Sequence, residues 1–100
     1  MAGEDAVGLD IWSGIAQLTG STIKTVTGRG TFTVLSVSDR FCELKVHSTG
    51  KVRRIPRREF ESAASLGSAS SKSTADIRQS GASEYNPAYV LAVLRTIEQA

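Results

Sequence analysis

The sequence predicts an α+β fold: an N-terminal helix, a four-stranded antiparallel curved meander that is barrel-like, a short helix, a long loop and a C-terminal helix. Apolar residues recur at helical spacing near both ends of the chain, whereas residues 21–56 are rich in β-branched side chains and broken by short turn signals. The 100 residues are 40% hydrophobic and 22% charged, which is typical of one globular domain with one core.

The N-terminal region divides into a tail and a helix. Residues 1–8 show no apolar periodicity, so we expect a flexible tail followed by a single domain over residues 9–100. Asp10 is placed to cap a helix that Gly20 ends. Gly14 inside this helix costs about 1 kcal/mol, so the helix must gain stability by docking on the core. Its apolar positions follow helical spacing: Ile11, Trp12, Ile15 and Leu18.

Four short strands fit the central segment: Thr22 to Thr27, Thr31 to Ser38, Arg40 to His47, and Lys51 to Ile55. The connecting turns are short enough to make neighbouring strands antiparallel: Gly28-Arg29-Gly30, Ser38-Asp39 and Ser48-Thr49-Gly50. In the third strand Cys42, Leu44 and Val46 recur at every second position and should share one face. The apolar phase of the second strand slips between Val34 and Leu35, which predicts a bulge or burial on both faces.

Pro56 cannot donate a ladder hydrogen bond and has a helical φ, so the fourth strand should end there and a short helix should begin. The stripe of this helix is Phe60, Ala63 and Ala64. Residues 67–83 are rich in Ser, Ala and Gly and predict a long exposed loop with at most one short turn, around Thr74 to Arg78.

The C-terminal helix has a clear beginning, with Asn86 as its cap, Pro87 in its first turn and Tyr85 able to pack on Val90. Its predicted buried stripe is Val90, Val93, Leu94 and Ile97. Sheet and helices should share one core that contains Ile15, Leu18, Phe32, Val34, Leu44, Val46, Phe60, Val90, Val93 and Leu94.

The sequence offers little for catalysis. Cys42 and His47 are the candidate nucleophile and base, but they are five residues apart on one strand and should lie on opposite faces. A single histidine with scattered carboxylates gives no metal-ligand cluster. We therefore expect a non-enzymatic protein without a metal, a cofactor or a small-molecule substrate. Phe32 and Phe41 are expected to pack in the core rather than to stack on bases.

Three features bear on the compartment. No run of 18 apolar residues exists, the first ten residues are acidic where a signal peptide would be basic and then apolar, and Cys42 is the single cysteine. A lone cysteine cannot form an internal disulfide and fits a reducing compartment. We therefore expect a cytoplasmic protein without a membrane partner.

The positive charge is concentrated in the middle of the chain. Residues 22–58 hold nine basic and two acidic residues, a net charge of +7, although the whole chain carries only +2. Five basic residues fall within eight positions and are the predicted nucleic-acid contacts, with Lys45 and His47 at the margin: Lys51, Arg53, Arg54, Arg57 and Arg58.

Three interpretations of this basic set remain open. It can contact nucleic acid, it can bind an acidic protein partner, or it can be a solvated strand edge whose charge blocks aggregation. The leading hypothesis is weakly specific DNA binding through a basic β-surface. The alternative is a protein–protein or homodimerisation module that uses an edge strand or the side of the terminal helix that carries Tyr89 and Leu91.

Two sequence elements carry a family resemblance: the run Gly50-Lys-Val-Arg-Arg-Ile-Pro-Arg and the helix that begins Asn86-Pro-Ala-Tyr-Val. With them, and with the segments that begin at Gly20 and Gly28, residues 9–98 resemble small uncharacterised bacterial proteins built from a helix, a short meander and a terminal helix. Similar domains accompany restriction-type endonucleases. The resemblance implies DNA as the partner and assigns no catalytic residue.

Overall fold

The computed structural model describes residues 11–25 and 30–99. Its helices are α1 (residues 11–17), α2 (Arg57–Ala64), α3 (Thr74–Gln79) and α4 (Pro87–Gln99), with one turn of 3-10 helix at Ala69–Ser71. Its strands are β1 (Thr22–Lys24), β2 (Thr31–Val37), β3 (Phe41–Val46) and β4 (Val52–Pro56), joined in that order into an antiparallel sheet. The predicted α+β meander is confirmed. The sheet is not closed into a barrel.

Several predictions concern residues outside the described ranges. They are the tail over residues 1–8, the cap at Asp10, and the first turn, of which Gly30 alone is described. Within the described part of this hairpin, the N–H of Thr25 donates to the carbonyl of Gly30 at 2.9 Å. The bond closes the β1–β2 connection in the antiparallel geometry that the short turn predicts.

The sheet has an inner face packed on the helices and an outer face. Phe32, Val34 and Leu44 on the inner face are fully buried, whereas Lys45 on the outer face is exposed. The register between β2 and β3 shifts between Val34 and Ser36, which confirms the predicted bulge. The bulge leaves Leu35 exposed.

The core lies between the inner face and the helices. α1 contributes Trp12 and Ile15, α2 contributes Phe60, and the rings of Trp12 and Phe60 lie 5.8 Å apart. The indole N–H of Trp12 donates to the carbonyl of Ser38 at 2.9 Å, so α1 is joined to the β2–β3 turn. Nine of the ten predicted core residues are buried, and Leu18 packs against the core from a half-buried position.

Gly14 has a packing role that the helix-propensity argument did not foresee. A Cβ atom placed at Gly14 would lie 3.3 Å from Cγ2 of Ile97, tighter than most Cβ contacts. The missing side chain therefore permits a close approach of α1 to α4. Docking of this kind offsets the propensity cost of a glycine inside the helix.

The prediction for residues 67–83 holds in part: the short turn expected around Thr74 to Arg78 is present as α3, but the segment is not exposed throughout. The segment folds as the 3-10 turn and α3, and it buries Ala69, Ile77 and Ala82. A capping box at the start of α3, with Ser73 and Asp76 bonded reciprocally, supplies the helix start that composition alone concealed. Both elements pack against α4.

The end of α4 holds the preceding segment in place. The Glu98 carboxylate accepts hydrogen bonds from the N–H groups of Ala69 and Ser70 and from the hydroxyl of Ser68. Arg95 donates to the carbonyls of Ala69 and Lys72. Glu98 therefore satisfies N–H groups that the start of the 3-10 turn leaves unpaired, and Arg95 adds hydrogen bonds to carbonyls of the same segment.

The start of α4 differs from the prediction. Tyr85 is 83% exposed and does not pack on Val90. Instead the buried Ser83 hydroxyl accepts from the N–H of Asn86 at 3.2 Å and donates to a Glu59 carboxylate oxygen at 2.6 Å. This chain of hydrogen bonds joins the beginning of α4 to α2.

Replacing Ile77 tests whether the segment before α4 belongs to the core. Ile77→Ala should lower the free energy of unfolding by about 2–4 kcal/mol, because it removes a buried side chain and leaves a cavity. Chemical denaturation gives this value. The exposed neighbour Gln79→Ala is the matched control and should change it by less than about 0.5 kcal/mol. Equal small effects would mean that α3 is not docked.

The carboxyl of Glu98 should make stability depend on pH. The N–H of Ala69, with lesser contributions from Ser68, Ser70 and Arg95, holds the pKa of Glu98 below its ordinary value. Because its pKa is lowered in the folded state, Glu98 stabilises the folded protein at pH values above the ordinary glutamate pKa. This contribution is lost as the pH falls through the pKa of Glu98 in the folded state.

The corresponding variant is Glu98→Gln. It should destabilise the protein at pH 7 by up to about 1 kcal/mol, since the group is exposed to solvent. The difference from the parent should shrink below about pH 4. Urea denaturation at pH 7 and pH 3 measures it, with the exposed Glu84→Gln as control. A difference that stays constant with pH would contradict the assignment.

Candidate binding surface on the outer face of the sheet

The predicted contact residues do not form one patch. Lys45 and Arg54 lie on the outer face, on adjacent strands, while Arg53 pairs with the buried Leu44 and therefore belongs to the inner face. Lys51 precedes β4, and the carbonyl of Lys51 closes the β3–β4 hairpin. Arg57 and Arg58 begin α2. The alternation of a strand separates residues that are neighbours in the sequence.

Arg53 is held at the border of the inner face. Its guanidinium donates to Oδ1 of Asn86 at 3.1 Å and lies 5.3 Å from the ring centre of Tyr89. Tyr89 in turn packs edge-on against Phe32 at 5.3 Å. Arg53 thus connects the edge strand with the first turn of α4, and this contact uses the side-chain oxygen of the predicted cap residue.

Arg54 is partly neutralised but remains accessible. Its Nη2 lies 3.2 Å from the carboxylate of Glu43, and its guanidinium lies 5.3 Å from the ring centre of Phe41. Glu43 also accepts from the hydroxyl of Ser36 at 3.0 Å. The side chain of Arg54 is 63% exposed, and surface pairs of this kind contribute little to stability. A stronger anion can therefore compete for it.

Arg57 has a structural role. It forms an ion pair with Glu61 at 2.9 Å, donates to the carbonyl of Asp39 and lies 5.2 Å from the ring centre of Trp12. The side chain is about two-thirds buried. It joins α2, the β2–β3 turn and α1. These three contacts leave the Arg57 side chain little freedom to bind a ligand.

Two cations that the prediction left out of the site lie close to it. Lys24 on β1 is the cross-strand partner of Thr31, which places it on the outer face. Arg40 lies in the turn before β3, and its carbonyl accepts a hydrogen bond from the N–H of Arg57. Strand alternation would have assigned Lys24 to this face only once the register of the first hairpin was known.

Hydroxyl groups fill the outer face between the cations. The Thr22 and Thr33 hydroxyls lie 3.1 Å apart. The two ring nitrogens of His47 each lie 2.7 Å from a threonine hydroxyl, one from Thr31 and the other from Thr33. His47 is exposed, as expected of a residue at the end of a strand, and both of its ring nitrogens are hydrogen-bonded. Hydroxyls and basic side chains are the groups that contact phosphate in nucleic-acid complexes.

A groove of about 300 Å³ lies at one end of this face. Phe41 contributes to its wall from a half-buried position, so the prediction that this ring packs in the core is wrong. Phe41 follows the outward alternation of β3 while Cys42 points inward. The groove is lined by Asp39, Arg40, Phe41, Pro56, Arg57, Arg58 and Glu61.

The terminal helix offers no free apolar side for a partner. Leu91 is fully buried and Tyr89 packs on Phe32, so the side on which the homodimer alternative depended is already covered. α3 and the 3-10 turn provide part of that cover. The edge of the sheet remains as the other predicted route to a protein partner.

Cys42 and His47 are separated as expected. Cys42 is buried on the inner face and His47 is exposed on the outer one. Burial, with the neighbouring Glu43 charge, raises the pKa of the Cys42 thiol to about 12. In the described ranges, no group of three or more histidine, cysteine or carboxylate side chains could hold a metal ion. The helices of these same ranges include none long and apolar enough to cross a membrane.

The Cys42 thiol should be inert in the folded protein. A raised pKa keeps the thiol protonated at pH 8, and the thiolate is the reactive form. An aromatic disulfide reagent should therefore label the native protein far more slowly than the same protein in guanidinium, where one equivalent should react at once. Rapid labelling of the native protein would show that Cys42 is accessible.

Comparison of the chain with protein-family models, with curated proteins and with solved structures finds no match. The resemblance to small bacterial proteins and to accessory domains of restriction-type endonucleases therefore stays a prediction.

Proposed function

We propose that this domain is a non-enzymatic module that binds DNA, with little sequence preference, through the outer face of its sheet. The observation that carries the proposal is the composition of that face. Lys24, Lys45 and Arg54 lie on it, and the described residues of the four strands add one carboxylate, Glu43, which already pairs with Arg54. We also place the domain in the cytoplasm, on the strength of its lone cysteine.

The spacing of the cations suits an extended polyanion. Lys24 on β1 and Lys45 on β3 are two strands apart, about 10 Å in the hydrogen-bonding direction. Thr31 and Thr33 lie on the strand between them, and their hydroxyls would have to exchange their bonds to His47 for bonds to a phosphate. A phosphate backbone laid across the sheet would meet a basic group, a hydroxyl and a second basic group in turn.

The groove at the end of this face extends the surface. Arg40 and Arg58 line it, and neither forms an ion pair with any residue in the described ranges. Phe41 offers part of a ring face beside them, and aromatic rings stack on unpaired bases of any sequence. These features support weakly specific binding, in which charge supplies most of the affinity.

Arg53 and Arg57, two members of the predicted basic set, contribute less. Their guanidinium groups are held by Asn86 and Tyr89 in one case and by Glu61 and Trp12 in the other. Among the predicted contacts, the proposed surface therefore relies on Lys45, Arg54 and Arg58, with Lys51 at the hairpin end of the sheet.

The proposal is tested with fluorescence anisotropy of labelled single-stranded and duplex DNA between 50 and 200 mM salt. We expect the logarithm of affinity to fall linearly with that of salt, by about 0.9 per phosphate contact on duplex and about 0.7 on a single strand. Lys45→Glu should weaken binding about tenfold or more and reduce the slope by about one contact. Comparing the two DNA forms shows which the surface prefers.

The matched control is Arg78→Glu on α3, which makes the same change of charge away from the sheet. It should change the affinity by less than about threefold, the effect of total charge alone. Equal losses in the two variants, or no retention of DNA at 50 mM salt, would overturn the proposal. Circular dichroism of each variant confirms that the fold is kept.

A further inference from the structure

β4 is an edge strand of the sheet, and its edge that faces away from β3 is open. β3 lies on one side of it, and the described part of the chain supplies no strand on the other. Val52 is 54% exposed, and Arg53 and Arg54 are exposed as well. An uncovered strand edge of this kind is a template for pairing with another extended chain.

The hydrogen bonds at the two ends of the β3–β4 ladder show which main-chain groups are free. The N–H of Val46 donates to the carbonyl of Lys51 at 2.9 Å, and the N–H of Arg57 donates to the carbonyl of Arg40 at 2.7 Å. Antiparallel ladders alternate between hydrogen-bonded and non-hydrogen-bonded pairs. The odd-numbered residues of β4 and its flanks therefore point their main-chain N–H and carbonyl groups towards β3.

The even-numbered residues of β4 point their main-chain N–H and carbonyl groups away from β3. Val52 and Arg54 each present one N–H and one carbonyl to the open side, since they pair with Lys45 and Glu43 as non-hydrogen-bonded pairs. Pro56 lacks an N–H and can only accept there. The open edge thus offers a short, regular ladder that ends at Pro56.

The charges around this edge select the partner. Three basic side chains border the free main-chain groups: Lys51 and Arg53 on one face of the sheet and Arg54 on the other. The nearby carboxylate of Glu43 is already paired with Arg54. A second copy of β4 would bring like charges opposite one another, which is destabilising in cross-strand pairs. An acidic chain would meet opposite charges at the same positions.

We propose that the β4 edge binds an extended acidic segment of a partner protein, which adds to the sheet as a fifth strand. This inference does not rest on DNA binding by the outer face, because it depends on the main chain of Val52 and Arg54. Strand addition gives affinity through main-chain hydrogen bonds and specificity through alternate side chains.

The register specifies the pattern of the segment. An antiparallel segment would place its residues opposite Arg54, Arg53, Val52 and Lys51 in turn. Its complementary sequence is acidic, acidic, apolar, acidic, with the apolar residue beside the exposed Val52. A peptide such as Thr-Glu-Glu-Val-Glu-Thr is therefore a direct probe.

The test is an NMR titration of the isotope-labelled protein with this peptide. The amide signals of Val52 and Arg54 should shift as peptide is added, until the binding site is saturated. The same amides should then be protected from hydrogen exchange. Methylating the peptide nitrogens that face β4 keeps every charge and side chain but removes the donors, and should weaken binding about tenfold or more. A Lys-for-Glu peptide should not bind.

Three results would overturn the proposal. The methylated peptide could bind as well as the parent, which would indicate simple charge attraction. The amides of Val52 and Arg54 could remain unprotected at saturation. They could also become protected with rising protein concentration alone, which would make a second copy the occupant. If DNA failed to bind while the peptide protected these amides, the DNA proposal alone would fall.

Discussion

The middle of α4 is buried on every side, and this burial determines how the chain before it folds. The five residues from Val90 to Leu94 are all buried. Successive residues of a helix point about 100° apart, so five in a row require cover around the whole helix rather than along one stripe. The sheet, α1 and α2 each cover part of the helix surface. The chain meets the requirement by folding residues 67–83 back onto α4, where Ile77 and Ala69 enter the core.

That constraint explains where sequence reasoning succeeded and where it failed. The strands, the bulge after Val34 and the helix after Pro56 follow from local patterns that span only a few residues, and these predictions hold. The docked segment carries a single large apolar residue, Ile77, among serines and alanines, which gives no period to detect. One signal was available. The unbroken apolar run from Ala88 to Leu94 leaves the first two turns of α4 without a polar side.

The candidate binding surface was also predictable from the sequence only in part. Five basic residues in eight positions suggest one patch, but alternation along β4 sends Arg53 and Arg54 to opposite faces, and this could have been inferred from the predicted strand alone. The ion pair of Arg57 with Glu61 is also a local pattern, at helical spacing. The contacts of Arg53 with Tyr89 and of Arg54 with Glu43 depend on tertiary packing and on register, so they required the folded chain.

Arg54 connects the two surfaces of the sheet. Its guanidinium belongs to the outer face, whereas its N–H and carbonyl belong to the open edge. An acidic strand at the edge would place a carboxylate beside Arg54, in addition to Glu43, and would lower the positive potential of the outer face. A polyanion on the outer face would in turn compete with that carboxylate. Occupation of one surface should therefore weaken occupation of the other, and linkage requires the two effects to be equal.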